Sequence, residues 1–368
     1  TDNYDVNTPV YVVAEISSSD ASLEDWIAGA SKELTKPRNN NLVMLESDLQ
    51  YVTEEDYVIM SFSEVTEEQV EQALIDNAVA KIGETTYTTL QKALNAAVAC
   101  TGNVTVEILR NIDLTGIDWN PVTVGAPTHP SVTVNGNYKT ITGLNDMLFA
   151  GTWAGNSGLI INDLTIANSN IVNDKDDNEG TVGVGAFIGF PQASETITLN
   201  NCHLVNSTVE GGHWTGGLIG YAAGYAGTDG PVFMNLTITE CSVTGSIITG
   251  KGSVGGIIGH GSGNGWTKVV IEETTVSGNT ITSTGTSTNK AGAVMGTIGA
   301  AGQPTTVNDV TKTGGMSVSA TVAENDVKSN GTEITTKVTV AAYRIVVGGG
   351  ETKNGWANRN WSDFNNPD

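Results

Sequence analysis

The feature that most constrains this chain is a two-part repeat present in four copies. The first block reads Ile166-Ala-Asn-Ser-Asn-Ile171, Leu204-Val-Asn-Ser-Thr-Val209, Val243-Thr-Gly-Ser-Ile-Ile248 and Val276-Ser-Gly-Asn-Thr-Ile281, with anchors 38, 39 and 33 residues apart. The second block reads Ala186-Phe-Ile-Gly189, Gly217-Leu-Ile-Gly220, Gly256-Ile-Ile-Gly259 and Ala293-Val-Met-Gly296. Repeats of this length, rich in β-branched residues, Thr, Asn and Gly, are typical of stacked solenoids.

Spacing within each unit indicates strands. Apolar residues alternate, as in Cys202-His-Leu204, which is the period of a strand and not of a helix. The residue two places after each anchor belongs to a type that tolerates a left-handed backbone, which predicts a tight turn there. These residues are Asn168, Asn206, Gly245 and Gly278. We therefore expect roughly six or seven coils, stacked at about 4.8 Å per layer.

Aligning the units places residues in columns along the stack. One column contains Leu164, Cys202, Cys241 and Thr274, and an inward column contains Ile166, Leu204, Val243 and Val276. The two cysteines are then vertical neighbours, and we expect buried free thiols, with a disulfide as the alternative. A third column contains Phe190, Tyr221, His260 and Thr297, and the pattern leaves open whether it faces inward or outward.

The chain divides into three parts. Residues 1–80 are acidic and poor in Gly, and they predict a small α+β lobe with helices starting near Ser22 and Thr66. Residues 81–347 comprise the repeats, preceded by an amphipathic helix from about Thr88 to Ala99. We expect this helix to cover the open end of the first coil. Residues 348–368 form a polar carboxyl-terminal tail without the coil pattern.

Charge and hydropathy exclude several partners. The chain has 40 acidic and 17 basic residues and a formal net charge of −23, which disfavours nucleic acid and anionic membrane surfaces. It has no apolar run long enough to predict a transmembrane span. The amino terminus lacks a basic and apolar leader, so we expect any signal peptide to have been removed. The overall charge also predicts that a glycan partner would be neutral.

Four segments resemble a known family. They are Ile82-Gly-x-x-x-Tyr87-x-Thr-Leu90-x-x-Ala93, Gly136-Asn-Tyr-Lys-Thr-Ile-Thr-Gly-Leu144, Asn162-Asp-Leu-Thr-Ile-Ala-Asn-Ser169 and the recurrent Gly216-Gly-Leu-Ile-Gly220. Together they resemble the right-handed parallel β-helix proteins with GLUG-type repeats, on the surfaces and in the secretions of gut bacteria. The resemblance covers residues 80–347 and implies an extracellular or cell-surface, adhesin-like protein. It supplies no catalytic residues and leaves a lipid anchor open.

The same fold is shared with pectate lyases and polygalacturonases, so polysaccharide chemistry has to be considered. Gly259-His260-Gly261 resembles part of the polygalacturonase motif set, with Asp176-Asp177 before it and Arg344-Ile345 after it. Inverting hydrolysis needs two or more carboxylates around the scissile bond. However, Asp177 and His260 are two coils apart, and Val346 replaces the lysine of the family. A lyase or glycoside hydrolase is therefore the alternative function.

A calcium site is also an alternative. Asp174, Asp176 and Asn178 place oxygen ligands at alternate positions, as a calcium loop does. Gly180 lies one position too late for an EF-hand, and no Glu occupies the twelfth position. A solvated acidic loop explains the segment more simply, so Ca²⁺ is the alternative and no other cofactor is indicated.

Aromatic residues in the Gly-rich loops point to a binding function. Trp153, Trp214, Tyr225 and Trp266 lie between the repeated strands, where packing does not require them. Flat rings on a rigid face suit the apolar C–H faces of sugars, although such rings can also pack onto their own wall. We therefore predict a non-catalytic surface or secreted interaction protein, whose partner is a glycan or protein of a host or neighbouring cell.

Overall fold

The computed structural model describes residues 72, 75–125, 131–152, 158–173, 183–191, 196–223, 225–227, 230–232, 234–262, 267–286, 290–298, 304–307, 310–313, 315–333, 343–347 and 359–360. The predicted amino-terminal lobe lies almost wholly outside these residues, as do its two helices. Most of the polar tail also lies outside them. The described part of the chain is mainly β, with several parallel sheets.

The strands form four larger sheets, named I to IV in the order in which a repeat visits them. Sheet I contains β1 (Ala80–Ile82), β2 (Thr85–Tyr87), β3 (Val104–Ile108), β4 (Ile112–Asp113), β6 (Val132–Thr142), β8 (Gly158–Ala167), β12 (Thr196–Val205), β18 (Met234–Thr239), β19 (Ser242–Thr244), β23 (Thr267–Ser277), β29 (Gly315–Ala323) and β32 (Tyr343–Val347). Sheet II contains β9 (Asn170–Asn173), β13 (Thr208–Gly211), β20 (Ile247–Gly250), β24 (Thr280–Ser283), β30 (Asp326–Ser329) and β31 (Thr332–Glu333).

The other two larger sheets alternate with these along the chain. Sheet III contains β10 (Gly183–Gly185), β14 (Trp214–Gly216), β21 (Ser253–Gly255) and β25 (Ala291–Gly292). Sheet IV contains β5 (Val122–Val124), β7 (Phe149–Thr152), β11 (Ile188–Pro191), β15 (Ile219–Ala223), β22 (Ile258–Ser262), β26 (Met295–Ile298) and β33 (Arg359–Asn360). Two hairpins lie outside these sheets, β16 (Tyr225–Gly227) with β17 (Gly230–Val232) and β27 (Pro304–Val307) with β28 (Val310–Thr313).

The observed register confirms the alignment of the repeats. In sheet I the strands β3, β6, β8, β12, β18, β23 and β29 pair in parallel in this order. Leu204 pairs with Ile166 below and Val243 above, and Val243 pairs with Val276. All four side chains of this column are 0% exposed and belong to the core, as predicted.

The two cysteines occupy adjacent layers of the predicted column. Cys202 pairs with Leu164, and its N–H donates to the Cys241 Sγ at 3.3 Å. Both thiols are free and buried. Burial and the adjacent Cys241 thiol raise the pKa of Cys202, so this thiol stays protonated and unreactive.

We expect a thiol titration of the denatured protein to detect all three cysteines, Cys100, Cys202 and Cys241. The reason is that the two neighbouring thiols fill the core as small apolar groups instead of forming a bond. A count of one thiol without reductant, rising to three after reduction, would contradict this prediction.

The tight turn after each inward column is also confirmed. Asn168, Asn206, Gly245 and Gly278 have φ angles of 47°, 48°, 61° and 67°. The next residue in each unit is a buried polar residue, a role that sequence reasoning missed. These residues are Ser169, Ser207, Ser246 and Asn279. The side-chain oxygens of Ser207, Ser246 and Asn279 each accept a hydrogen bond from the backbone N–H of the equivalent residue one layer below. Ser169 accepts from the Leu144 N–H instead. A ladder of polar hydrogen bonds therefore runs along the turns of successive repeats.

A second left-handed column divides the long strands of sheet I. Asp163, Asn201, Glu240 and Glu273 have φ angles of 52°, 52°, 55° and 51°. The bend resets the alternation, because two residues separate the buried Ile161 from the buried Leu164. The predicted alternation of strand residues does not include this bend. The three-residue interval between apolar residues was the signal in the sequence that could have revealed it.

A helix packs against the first strands of sheet I. The helix α1 (Leu90–Val98) starts after Thr89, whose Oγ1 accepts the Lys92 N–H at 3.3 Å. Leu90 and Leu94 of this helix are buried in the same core as the strands. Antiparallel strands also close sheet ends, since β1 pairs with β3, and β32 and β33 pair with β29 and β26. In the described part of the chain, no helix is long and apolar enough to cross a membrane.

Candidate functional site

Trp214 is the only one of the four predicted contact aromatics whose side chain lies among the described residues. It opens β14 of sheet III, where it pairs with Gly183 below and Ser253 above. The indole is partly exposed. The prediction that Trp214 lies in a loop between the repeated strands is wrong, because the residue begins a strand.

A tight corner brings the next strand back beside Trp214. After Gly217-Leu218 the chain returns as β15, so that Tyr221 lies next to Trp214. The two ring centroids are 4.0 Å apart, and the planes are inclined by 15°, which is a stacked arrangement. Such pairs stabilise each other by about 1 kcal/mol beyond their buried area. Tyr221 therefore supports the indole from one side.

Close packing of sheets III and IV makes this corner possible. A Cβ at Gly220 of sheet IV would overlap the backbone of Val184 and Gly183 in sheet III. Similarly, a Cβ at Gly259 would lie 2.5 Å from the Thr215 N. Because glycines line this contact, the two backbones approach far more closely than the roughly 10 Å usual between packed sheets. The repeated glycines are thus required by space, and they set the distance between Trp214 and Tyr221.

The third predicted column continues the stack along sheet IV. The Tyr221 ring lies 4.6 Å from the Phe190 ring in the layer below and 5.2 Å from the His260 ring in the layer above. The neighbouring Ile219 and Ile258 are 0% exposed and belong to the core. Phe190 is 8% exposed and lies outside that core cluster, whereas Tyr221 and His260 are partly exposed. The column left open by the sequence therefore faces outward.

Two histidines complete this surface, which we call the aromatic shelf: Phe190, His213, Trp214, Tyr221 and His260. His213 is exposed and meets the Trp214 ring edge-on at 5.0 Å, with an angle of 77°. His260 lies 5.7 Å from Trp214 in a nearly parallel orientation. The shelf is thus a rigid set of rings held by three adjacent layers.

Burial controls the protonation of the shelf. Burial, together with the positive charges of Lys290 and His213, lowers the pKa of His260 to about 4. His260 is therefore neutral at physiological pH. A neutral imidazole can stack flat on Tyr221 without the cost of burying a charge.

We expect the stability of the protein to depend on His260 between pH 6.5 and 4. Its pKa is lower in the folded state, at about 4, than in the unfolded state, at about 6.5, so the unfolded chain binds more protons in this window. The contribution of neutral His260 to the free energy of unfolding is fully present above pH 6.5. It decreases as the pH falls towards 4, by up to about 3 kcal/mol. His260→Phe, which copies Phe190 of the same column, should remove this part of the loss.

Urea unfolding of wild type and His260→Phe at pH 7.5 and pH 4.5 measures this effect. The acidic residues titrate equally in both proteins, so the difference between the two losses isolates His260. Equal losses would show that the imidazole is not buried in the stack.

The structure leaves most of the other predicted site residues undescribed. Trp153 and Trp266 lie outside the described residues, and so do Asp174, Asp176 and Asn178 of the predicted calcium loop. Tyr225 begins β16 in a hairpin that leaves sheet IV after β15. Within the described ranges, no three His, Cys, Asp or Glu side chains form a group that could hold a metal ion.

Two residues that resemble the polygalacturonase set lie in different sheets. His260 lies in β22 of sheet IV, whereas Arg344 lies in β32 of sheet I, paired with Ser319. Asp176 and Asp177 fall outside the described residues. His260 instead occupies the ordinary repeat position of Phe190 and Tyr221 and contributes its ring to the shelf.

Sequence reasoning missed the connection between Trp214 and the column. Trp214 and Tyr221 are seven residues apart, and the apolar pair Leu218-Ile219 between them is flanked by a glycine pair and by Gly220. The glycines that allow the tight corner are part of the repeat and were visible in the sequence. The sequence pattern did not show that these glycines bring two backbones into contact.

Comparisons with known proteins add little. No protein-family model matches the chain, and no curated protein matches it significantly. One solved structure is similar, that of a Bacteroides ovatus protein described as a "putative immunoglobulin A1 protease". The two sequences are 14% identical, the match covers 66% of this chain and 75% of the other chain, and the TM-score is 0.41. A similarity this weak carries no argument about fold or function.

Proposed function

We propose that residues 80–347 form a right-handed parallel β-helix with GLUG-type repeats. Support comes from the sheet order, because each repeat contributes strands to sheets I, II, III and IV in turn. Equivalent strands of successive repeats pair in parallel in every one of these sheets. Since each layer buries its apolar face only against its neighbours, several layers are needed for stability.

We further propose that the protein is a non-catalytic, adhesin-like interaction protein, secreted or on the cell surface, that contacts a glycan through the aromatic shelf. The observation that carries this proposal is the partly exposed Trp214 ring, stacked on Tyr221 at 4.0 Å. Apolar C–H faces of sugar rings stack on indole rings. Because Tyr221 and His213 already fix the indole, little side-chain entropy is lost on binding.

Removal of the indole tests this function. We expect Trp214→Ala to weaken the binding of the best ligand from a glycan array about fivefold or more, which corresponds to about 1 kcal/mol. Tyr138→Ala is the matched control, because Tyr138 is an exposed aromatic residue of sheet I, 78% exposed. Unchanged affinity in Trp214→Ala, with the wild-type melting temperature, would move the binding site elsewhere.

A degradation assay tests the alternative function. We expect no release of unsaturated or reducing-end products from pectin or alginate, with or without Ca²⁺. Hydrolysis needs a pair of carboxylates at the bound sugar, and the strands that form the shelf supply neither Asp nor Glu. Reproducible product release that copurifies with the protein would support the lyase or hydrolase.

A further inference from the structure

The charge of the shelf differs from the charge of the whole chain. The chain carries 40 acidic residues, yet the described strands of sheets III and IV, four and seven in number, contain no Asp or Glu. The acidic residues of the described strands lie in sheets I and II; examples are Glu107, Asp163 and Glu210. Among the described strands, the acidic residues are therefore segregated from the sheets that carry the shelf.

A lysine lies in the same column as Trp214. Trp214 pairs with Ser253, and Ser253 lies opposite Lys290, because Val254 pairs with Ala291 in the next layer. The Lys290 carbonyl accepts the Val254 N–H at 2.8 Å, which fixes its backbone at this height. Two layers of about 4.8 Å separate Lys290 from Trp214, so their Cα atoms are about 10 Å apart.

Nothing bulky separates the indole from the lysine in this column. The intervening Ser253 is small and buried, and His260 is the residue of sheet IV beside it. Lys290 is partly exposed. Its charge, together with that of His213, acts on the His260 imidazole and lowers its pKa, as expected if both groups lie close to the shelf.

We propose that the aromatic shelf binds an acidic saccharide, with a sugar ring against Trp214 and its carboxylate or sulfate group at Lys290. This inference rests on the proposed function and names its ligand class. It replaces the neutral glycan that the overall charge predicts. Charges in sheets I and II are screened beyond about 8 Å at physiological salt, whereas an anion in contact with Lys290 is not.

The described strands of sheets III and IV also lack the carboxylates that hydrolysis requires. A carboxylate on these strands beside Lys290 would neutralise it and repel an anionic sugar, and they contain none. The same strands therefore offer neither a carboxylate pair for hydrolysis nor a carboxylate ligand for Ca²⁺.

Matched ligands test this inference. Binding to the full chain would be measured for lactose, 3′-sialyllactose and 3′-sulfolactose, and for polygalacturonate and its methyl ester, at 50 and 500 mM NaCl. We expect the anionic member of at least one set to bind about fivefold more tightly at 50 mM, with the advantage lost at 500 mM. The sialyl and sulfo ligands distinguish carboxylate from sulfate recognition.

Two lysine variants decide where the anion binds. Lys290→Gln should remove the preference for the anionic ligand and leave the affinity for its neutral counterpart unchanged. Lys268→Gln is the control, because Lys268 is exposed on β23 of sheet I, and it should keep the preference. Circular dichroism melting of each variant confirms folding.

The outcomes separate this inference from the proposed function. Equal affinity for anionic and neutral ligands, or an unchanged preference in Lys290→Gln, overturns the acidic ligand class. The glycan-binding function still stands in that case if Trp214→Ala weakens binding. Failure of every saccharide to bind wild type overturns both.

Discussion

Leu204→Asp should unfold the middle layers of the protein. Leu204 is 0% exposed, and its neighbours in the column, Ile166 and Val243, are also completely buried. The substitution removes a buried side chain and places a carboxylate in an apolar core, which together cost about 5 kcal/mol or more. This approaches the total stability of many domains. Circular dichroism melting should show a large decrease in the melting temperature or loss of the transition.

The adjacent position provides the control for this variant. Val205 is partly exposed, since alternation along β12 directs it to the opposite face. Val205→Asp should therefore change the stability by less than about 1 kcal/mol. If Leu204→Asp melts at the wild-type temperature, the assignment of this column to the core is wrong.

Gly220→Ala should destabilise the protein by about 3 kcal/mol although it adds a single methyl group. The new Cβ would overlap the Val184 N and lie 2.6 Å from the Gly183 Cα. Both obstacles are backbone atoms of sheet III, which cannot rotate away as a side chain could. Urea denaturation should show a lower midpoint, and the Trp214 fluorescence should change because sheets III and IV are forced apart.

Gly102→Ala is the matched control for this effect. An added Cβ at Gly102 meets no atom within 4 Å, and its φ is not in the left-handed region. The same chemical change should therefore be neutral or slightly stabilising. Equal effects of the two substitutions would show that sheets III and IV are not in backbone contact at Gly220.

The repeat alone predicted the register because it encodes a property of single residues. Burial favours an apolar side chain, and a left-handed turn favours Asn or Gly, so each copy of the repeat shows these residue types at the equivalent positions. Leu204 and Asn206 could thus be placed from the repeat pattern, and their observed burial and φ angle agree. The start of helix α1 was predictable for the same reason, since Thr89 is a local capping residue.

The shelf could not be predicted because it depends on distances between segments. Periodicity assigned Trp214 to a loop and left Tyr221 and His260 without an orientation, since apolar residues surround the column on both sides. The close approach of sheets III and IV decided the position of Trp214 and the orientation of the column. The glycine backbones of the two sheets are in contact. This contact allows the corner at Gly217-Leu218, and the corner stacks Trp214 on Tyr221.

The sequence by itself therefore determined that the inward column is buried, where the turn after it lies and how successive repeats align. These are properties of one residue or of one repeated pattern. The tertiary structure alone decided that the outward rings meet, that Lys290 shares a column with Trp214, and that the acidic residues of the described strands lie in other sheets. Such relations depend on how the four sheets fold around one core, and no local pattern contains that information.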